Sequence, residues 1–233
     1  MKFNNKKIIA ILPMKAHSER IPNKNVRKLG NKILFIHILE KLKATNIFSK
    51  VVINTDSKKI KDIVGKKYKK WVKIHDRPDH LLGDNVSMNR IISYDLKKFD
   101  DECTFFQTHS TNPFLASKTI IKAVDSYKKE IWKGKYDSLF SVNLIKSRLY
   151  DNKMRPINHN PKILRRTQDL ANIYEENSNF YIFSKKAFLE NDQKRIGKKP
   201  FMYVMDTSIE ESLDLDEPKH WKLAEKIINS KII

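Results

Sequence analysis

The stretch Ile8-Ile-Ala-Ile-Leu-Pro-Met-Lys-Ala-His-Ser-Glu-Arg-Ile-Pro-Asn-Lys-Asn25 decides the fold. Its apolar run Ile8–Leu12, bounded by Lys7 and Pro13, reads as a strand buried on both faces, as strands of a parallel sheet are. Pro13 ends the run and opens a loop carrying Lys15, Arg20 and Lys24. In parallel α/β sheets ligands bind beyond the carboxyl ends of the strands, so this loop is where an anionic ligand is expected. An ordinary solvated loop would look much the same by itself, and the rest of the chain has to decide between the two.

Working outward, Ile33 to Lys43 places Leu34, Ile38 and Leu42 at helical spacing. Val51–Thr55 is a short strand, Asp56 and Ser57 can cap a helix over Lys58–Lys70, and Trp71–His75 is a third strand. This β-loop-α-β-α-β order, with right-handed crossovers, predicts an α/β fold with a Rossmann-like, mainly parallel sheet. GxGxxG and Walker A patterns are absent, so a nucleotide would have to be held by another arrangement.

A chain of 233 residues can bury one sizeable core, which predicts a single domain over 1–233. Hydrophobic residues make up 40%, with twelve Phe, eight Tyr and three Trp, which excludes general disorder. Cys103 is the lone cysteine; it rules out an internal disulfide framework and makes a reducing cytoplasm the expected compartment. The first apolar run is short, interrupted by Pro13 and without a cleavage pattern, so it is not read as a signal peptide. Nor does any stretch approach the roughly 18 apolar residues of a membrane span. The net charge of +20 would attract a phosphate backbone. The basic residues, however, are mostly Lys, spread along the chain, and lack a helix-turn-helix, zinc-finger or RNP-like signature. They are read as solvated surface with a bias toward anionic small molecules, and nucleic-acid binding stands as the alternative of a different class.

Further along, the loop Arg77–Asn89 is dense in hydrogen-bonding groups. Asp84, Asn85 or Ser87 can cap the helix predicted over Met88–Lys98, whereas Arg77 lies outside it. A strand over Glu102–Gln107 leads into Thr108-His-Ser-Thr-Asn-Pro113, richer in polar side chains than a turn requires. After a helix near Ser117–Lys129 and a strand over Asp137–Val142, residues 143–172 lose periodicity and carry Arg165 and Arg166. They read as an inserted excursion and a contact surface for another subunit. Strands over Asn177–Ser184 and Phe201–Met205 flank a short helix at Lys185–Glu190. Near the end, Asp214 and Asp216 are two residues apart on an extended segment, which points both carboxylates to one face. They repel unless a cation lies between them, and Mg²⁺ bound through one or two carboxylates plus phosphates is its natural occupant. The competing reading makes Asp216 only the cap of the last helix, with Pro218 in its first turn.

Taken in order, Pro13-x4-Ser18-x-Arg20-Ile21-Pro22-x-Lys24-Asn25, Thr55-Asp56-Ser57, Arg77-Pro78-x2-Leu81-x2-Asp84, Gln107–Pro113, Arg165-Arg-Thr-Gln-Asp169, Glu176-Asn-Ser178 and Ser212-Leu-Asp-Leu-Asp216 resemble the acylneuraminate cytidylyltransferase, or CMP-sialic acid synthetase, family. The ordered set spans nearly the whole chain. Departures are Lys15, His17 and Glu19, where the family usually has Arg, Gly and Lys, and Glu175–Ser178, where many members have Arg-Pro-Asn-Gly.

The resemblance implies attack of a sugar hydroxyl on the α-phosphate of CTP with release of pyrophosphate. It assigns Arg20 and Lys24 to the phosphates, and Asp214 and Asp216 to Mg²⁺, with Mn²⁺ as a substitute; Lys24, Arg20 and Asp214 are its catalytic residues. Leu12, Pro13, Lys15, Ser18, Asn25, Arg77, Asp84 and Ser87 would surround the nucleotide. Gln107, His109, Thr111 and Asn177 would meet an acidic nine-carbon sugar, with Arg165 or Arg166 on its carboxylate, which an arginine fork fits. A homodimer through 143–172 is implied as well. N-acetylneuraminate or a relative is the expected acid. The alternatives are 3-deoxy-manno-octulosonate, legionaminate or pseudaminate, or another nucleoside triphosphate.

Overall fold

The computed structural model describes residues 7–205 and 209–230, so the ends of the 1–233 expectation lie outside the described residues. In chain order it contains β1 (Ile8–Ile11), β2 (Lys28–Leu29), β3 (Lys32–Ile33), α1 (Leu34–Ala44), β4 (Lys50–Thr55), α2 (Lys58–Lys67), β5 (Val72–Asp76), α3 (Met88–Leu96), β6 (Thr104–Thr108), α4 (Ser117–Trp132), β7 (Ser138–Ile145), β8 (Ile173–Ser184), α5 (Lys185–Glu190), β9 (Pro200–Val204) and α6 (Pro218–Ser230). Seven strands form one sheet in the order β5-β4-β1-β6-β8-β7-β9, and β2 pairs with β3 in a small hairpin. All neighbours in the large sheet are parallel except β8, which runs against both β6 and β7. The mainly parallel α/β expectation therefore holds.

Alternating side chains of the central strands enter two cores. Ala10, Leu12, Val51, Ile53 and Phe106 pack with Ile38, Leu42, Ile60, Val64 and Val124 of α1, α2 and α4. Ile9, Ile11, Val52 and Phe105 pack with Ile92, Leu96 and Phe188 of α3 and α5. Burial on both faces is why β1 is a continuous apolar run rather than an alternating one. The chain lays β4 and β5 on one side of β1 and then crosses to place β6 on the other. This reversal opens a crevice between the carboxyl ends of β1 and β6, where ligands of such sheets bind.

Two features differ from the sequence reading. The β2–β3 hairpin was not expected, because strands of two residues carry no periodicity. Its Gly30 has φ +61°, and a Cβ there would lie 2.7 Å from Ile228 Cγ2, so the turn needs glycine. The excursion also starts later than Asn143: β7 and β8 go on pairing past a bulge, Val142–Ile145 against Ile173–Glu176. These outer residues are largely outside the core, so the apolar pattern that marks a strand is missing from them. The intervening segment, 146–172, contains a bridge between Tyr150 and Pro156 and one 3-10 turn, Thr167–Asp169. It is clipped internally by Asn158, which accepts from Leu149 N–H at 3.0 Å and donates to Ser147 O at 2.8 Å.

Candidate active site

A cavity of about 410 Å³ occupies the crevice. It is lined by Pro13, Lys15, Arg20, Lys24 and Asn25 from the loop after β1, and by Arg77 and Asp84 after β5. His109, Ser110 and Thr111 after β6, Ser178 of β8, Arg195, Asp214 and Asp216 complete the charged and polar wall. Residues almost two hundred positions apart meet here for an apolar reason. Ile21, between Arg20 and Lys24, and Leu215, between Asp214 and Asp216, are buried in the same small cluster with Leu29, Leu34 and Trp221. Burying Ile21 and Leu215 leaves their charged neighbours at the cavity. Leu215 N–H also donates to Thr111 O at 2.9 Å, which fixes the carboxylate segment to the β6 loop. Asn25 does the same for the first loop, donating to Lys15 O at 2.8 Å and accepting from Ser110 Oγ at 2.6 Å.

Asp216 accepts from Lys24 Nζ at 2.7 Å and from Arg20 Nη2 at 3.0 Å. Both oxygens are thereby engaged in this ion cluster. Burial pushes its carboxyl up, but Lys24 and Arg20 outweigh that and hold it below the usual range. Asp214 differs. Burial and the nearby Asp216 charge raise its carboxyl although Thr111 bonds it, and Oδ1 is buried with no partner among the described residues. Among the described residues no group of three or more metal-ligating side chains gathers. The donor set is two adjacent carboxylates, one with a spare buried oxygen, which fits a hard cation that takes its remaining ligands from phosphate and water.

On the β4–β5 side Lys15 is bonded to Asp84. Arg77 donates through Nε to Asn54 Oδ1 at 2.8 Å and through Nη2 to Asn54 O at 3.1 Å. Asn54 in turn donates to the fully buried Asp95 at 2.8 Å, and His75 Nδ1 meets the same Asp95 oxygen at 2.7 Å. Arg77 is thus held by a buried polar chain beneath the cavity. Of the remaining nucleotide candidates, Leu12 is fully buried, Ser18 is buried, and Ser87 caps α3 by accepting from Arg90 N–H at 3.4 Å. None of these three side chains lines the cavity.

On the β6–β8 side Gln107 is buried. Its amide donates to Thr108 O and to His109 Nε2, both at 3.0 Å, while Oε1 accepts from Arg195 Nη1 at 2.7 Å. Burial and the Arg195 guanidinium push His109 down to about 4, so the ring is neutral at physiological pH and bonds as a neutral group. Asn177, a candidate for the acid, is buried and does not line the cavity; it is tied to Ser141 at 2.6 Å and to Asn143 at 2.7 Å. Arg165 and Arg166 are exposed on the excursion, Arg166 pairing with Asp169 at 2.8 Å, and neither lines this cavity.

Arg195 and Ser178 line the cavity but are not among the site candidates of the sequence. Arg195 falls in an aperiodic basic segment between α5 and β9. Ser178 has φ +55°, a left-handed conformation that glycine adopts more readily than other residues.

A family model described as Cytidylyltransferase matches residues 9–232. The chain belongs to the cytidylyltransferase family. It is 29% identical to the CMP-N,N'-diacetyllegionaminic acid synthase of Legionella pneumophila, over 95% of this chain and 96% of that one. It is 28% identical to the N-acylneuraminate cytidylyltransferase of Escherichia coli, over 97% of this chain and 53% of that one. The solved CMP:2-keto-3-deoxy-manno-octonic acid synthetase complexed with CTP has a TM-score of 0.69 at 12% identity, over 97% of this chain and 100% of that one. The 4-diphosphocytidyl-2C-methyl-D-erythritol synthase of Anaerococcus prevotii has a TM-score of 0.66 at 13% identity, over 96% and 99%. At such identities the two structures bear on this cytidylyltransferase's fold alone.

Proposed function

We propose that the protein transfers CMP from CTP to a hydroxyl of a sialic-acid-like nonulosonic acid and releases pyrophosphate. The observation that carries this is the meeting, at the switch point of the sheet, of Arg20 and Lys24 with Asp214 and Asp216 in one cavity. In-line displacement at the α-phosphate demands positioning and charge neutralisation more than covalent chemistry. Lys24 and Arg20 would take the phosphate oxygens. Lys15, Asn25, Arg77 and Asp84 stand on the nucleotide side with Pro13, while Leu12, Ser18 and Ser87 shape the strand end and loops behind it. His109 and Thr111 stand on the acid side, Gln107 orients His109 from beneath, and Asn177 braces the β7–β8 pair behind them through Ser141 and Asn143. Asp214 and Asp216 would hold Mg²⁺, or Mn²⁺ in its place. When bound, the metal supplies withdrawal of charge from the phosphoryl oxygens.

Pyrophosphate release measured over four nucleoside triphosphates and a panel of nonulosonic acids, with 3-deoxy-manno-octulosonate as the eight-carbon comparator, tests the reading. CTP with at least one nonulosonic acid is expected to be the productive pair. Silence from every pair in Mg²⁺ would overturn it.

The protein is also proposed to work as a homodimer. On the excursion Tyr150, Met154, Ile157, Ile163 and Leu164 are exposed, Leu164 to 91%, a concentration of apolar surface that a second copy would cover. Arg165 and Arg166 would then face the partner's cavity. Sedimentation equilibrium is expected to give a dimer that Leu164→Lys weakens, and a monomeric wild type at micromolar concentration would remove the proposal. No helix among the described residues is long and apolar enough to cross a membrane. The unpaired, buried Cys103 fits a reducing cytoplasm as the proposed compartment.

A further inference from the structure

We propose that Arg195 receives the carboxylate of the acid substrate and thereby selects acidic sugars over uncharged ones; the inference rests on the acid-transfer reading above. Arg195 belongs to none of the motifs that the sequence singles out. Its guanidinium carbon lies 4.0 Å from the centroid of the Tyr181 ring while Nη1 donates to Gln107. Gln107 and Tyr181 are register partners on β6 and β8. Both are fully buried, and the Tyr181 hydroxyl is itself held by Glu176 and Ser178. The guanidinium therefore lies across two adjacent strands, on a support as rigid as the sheet.

Counting partners separates Arg195 from the other cations of the cavity. Lys15 is paired with Asp84, and Lys24 and Arg20 with Asp216. Arg77 spends Nε and Nη2 on Asn54. Arg195 uses one of five N–H groups, and among the described residues no carboxylate pairs with it. The nearby Glu176 bonds the Tyr181 hydroxyl rather than the guanidinium. A partly buried guanidinium with spare donors and no counter-ion is costly unless an anion arrives. The arriving anion is defined by place. Arg20 and Lys24 are committed to Asp216, whereas Arg195 stands on the β6–β8 strand pair, bonded to Gln107 and stacked on Tyr181, with His109 and Ser178 also on the cavity wall. Those neighbours are neutral hydrogen-bonding groups, suited to hydroxyls. The anion that a hydroxylated sugar acid brings to this side is its carboxylate, and a planar fork matches it with two parallel bonds.

The test compares wild type, Arg195→Leu, Arg195→Lys and the double variant Arg165→Ala/Arg166→Ala. Pyrophosphate release is followed with a productive acid and with its methyl ester, which keeps the hydroxyls and removes the charge. Arg195→Leu is expected to raise KM for the acid about 30- to 100-fold, to leave KM for CTP within about threefold, and to erase the preference for acid over ester. Arg195→Lys, which keeps the charge without the fork, is expected to raise the acid KM about tenfold with kcat largely kept; it decides the matter if the leucine variant fails to bind CTP. Retention of the acid preference in the Arg195 variants, or its loss in the Arg165/Arg166 variant instead, would overturn the inference. A wild type that turns over no acid at all would bring down the transfer reading itself, a different outcome from an active wild type indifferent to Arg195.

Discussion

Asp214→Asn is expected to give a protein that releases pyrophosphate about 10³-fold more slowly and yet melts at a higher temperature than the wild type. The two effects have one cause. Asp214 is a carboxylate, proposed above to hold the metal, whose Oδ1 is buried with no partner among the described residues and whose ionisation is disfavoured by burial and by Asp216. Its folded-state ionisation lies above the unfolded one, so the cost to stability is fully present at neutral pH and fades as the pH falls toward the ordinary aspartate range. An isosteric amide removes that cost and still accepts from Thr111, but it no longer brings the charge a hard cation requires. Melting curves in metal-free buffer at pH 7 are expected to rise by about 2–4 °C for each kcal/mol relieved, with the difference shrinking at low pH. Turnover within tenfold of wild type would remove Asp214 from the catalytic set, and a lower melting point at pH 7 would remove the account of its burial.

How legible the site was in the sequence follows from what each residue depends on. Ile8–Leu12 could be read because burial on both faces leaves a mark within a few neighbouring positions, and so could the caps at Ser57 and Ser87. Asp214 and Asp216 were readable as a pair, but not the device that delivers them to Arg20 and Lys24. That device is the shared burial of Ile21 and Leu215, a contact between distant segments with no local period. Gln107 and Asn177 were recognisable as polar residues at strand ends, whereas their obligations to Arg195 and to Ser141 and Asn143 depend on strand register. Arg195 could not be found at all, since its meaning comes from Tyr181 across the β6–β8 pairing. The extension of β7 and β8 past Val142 escaped for the opposite reason: outside the core, nothing forces a pattern on the residues that pair.

Lys24→Met should reduce kcat/KM for CTP by about 10²- to 10³-fold, more than any other single change in the first loop. Lys24 is only 13% exposed and Arg20 59%, so the same Asp216 carboxylate is held by one shielded cation and one that water screens. A triphosphate entering the cavity competes with Asp216 for both. If Lys24 and Arg20 turn to phosphate oxygens when it binds, Asp216 is left free for the metal role proposed above. Removing Lys24 therefore acts twice, on the phosphates and on the carboxylate it restrains, whereas Arg20→Ala is expected to cost only about tenfold. A double-mutant cycle with Asp216→Asn separates the two contributions: strong non-additivity is expected if the lysine and the carboxylate form one unit. Protons give an independent reading. Lys24 is the chief cause of the low Asp216 carboxyl, and a lowered carboxylate contributes stability above its unfolded ionisation that is lost as the pH falls. Lys24→Met should accordingly flatten the acid limb of the melting-temperature profile. An unchanged kcat/KM beside a flattened acid limb would mean that Lys24 is a structural ion-pair partner and that phosphate binding is carried elsewhere in the cavity.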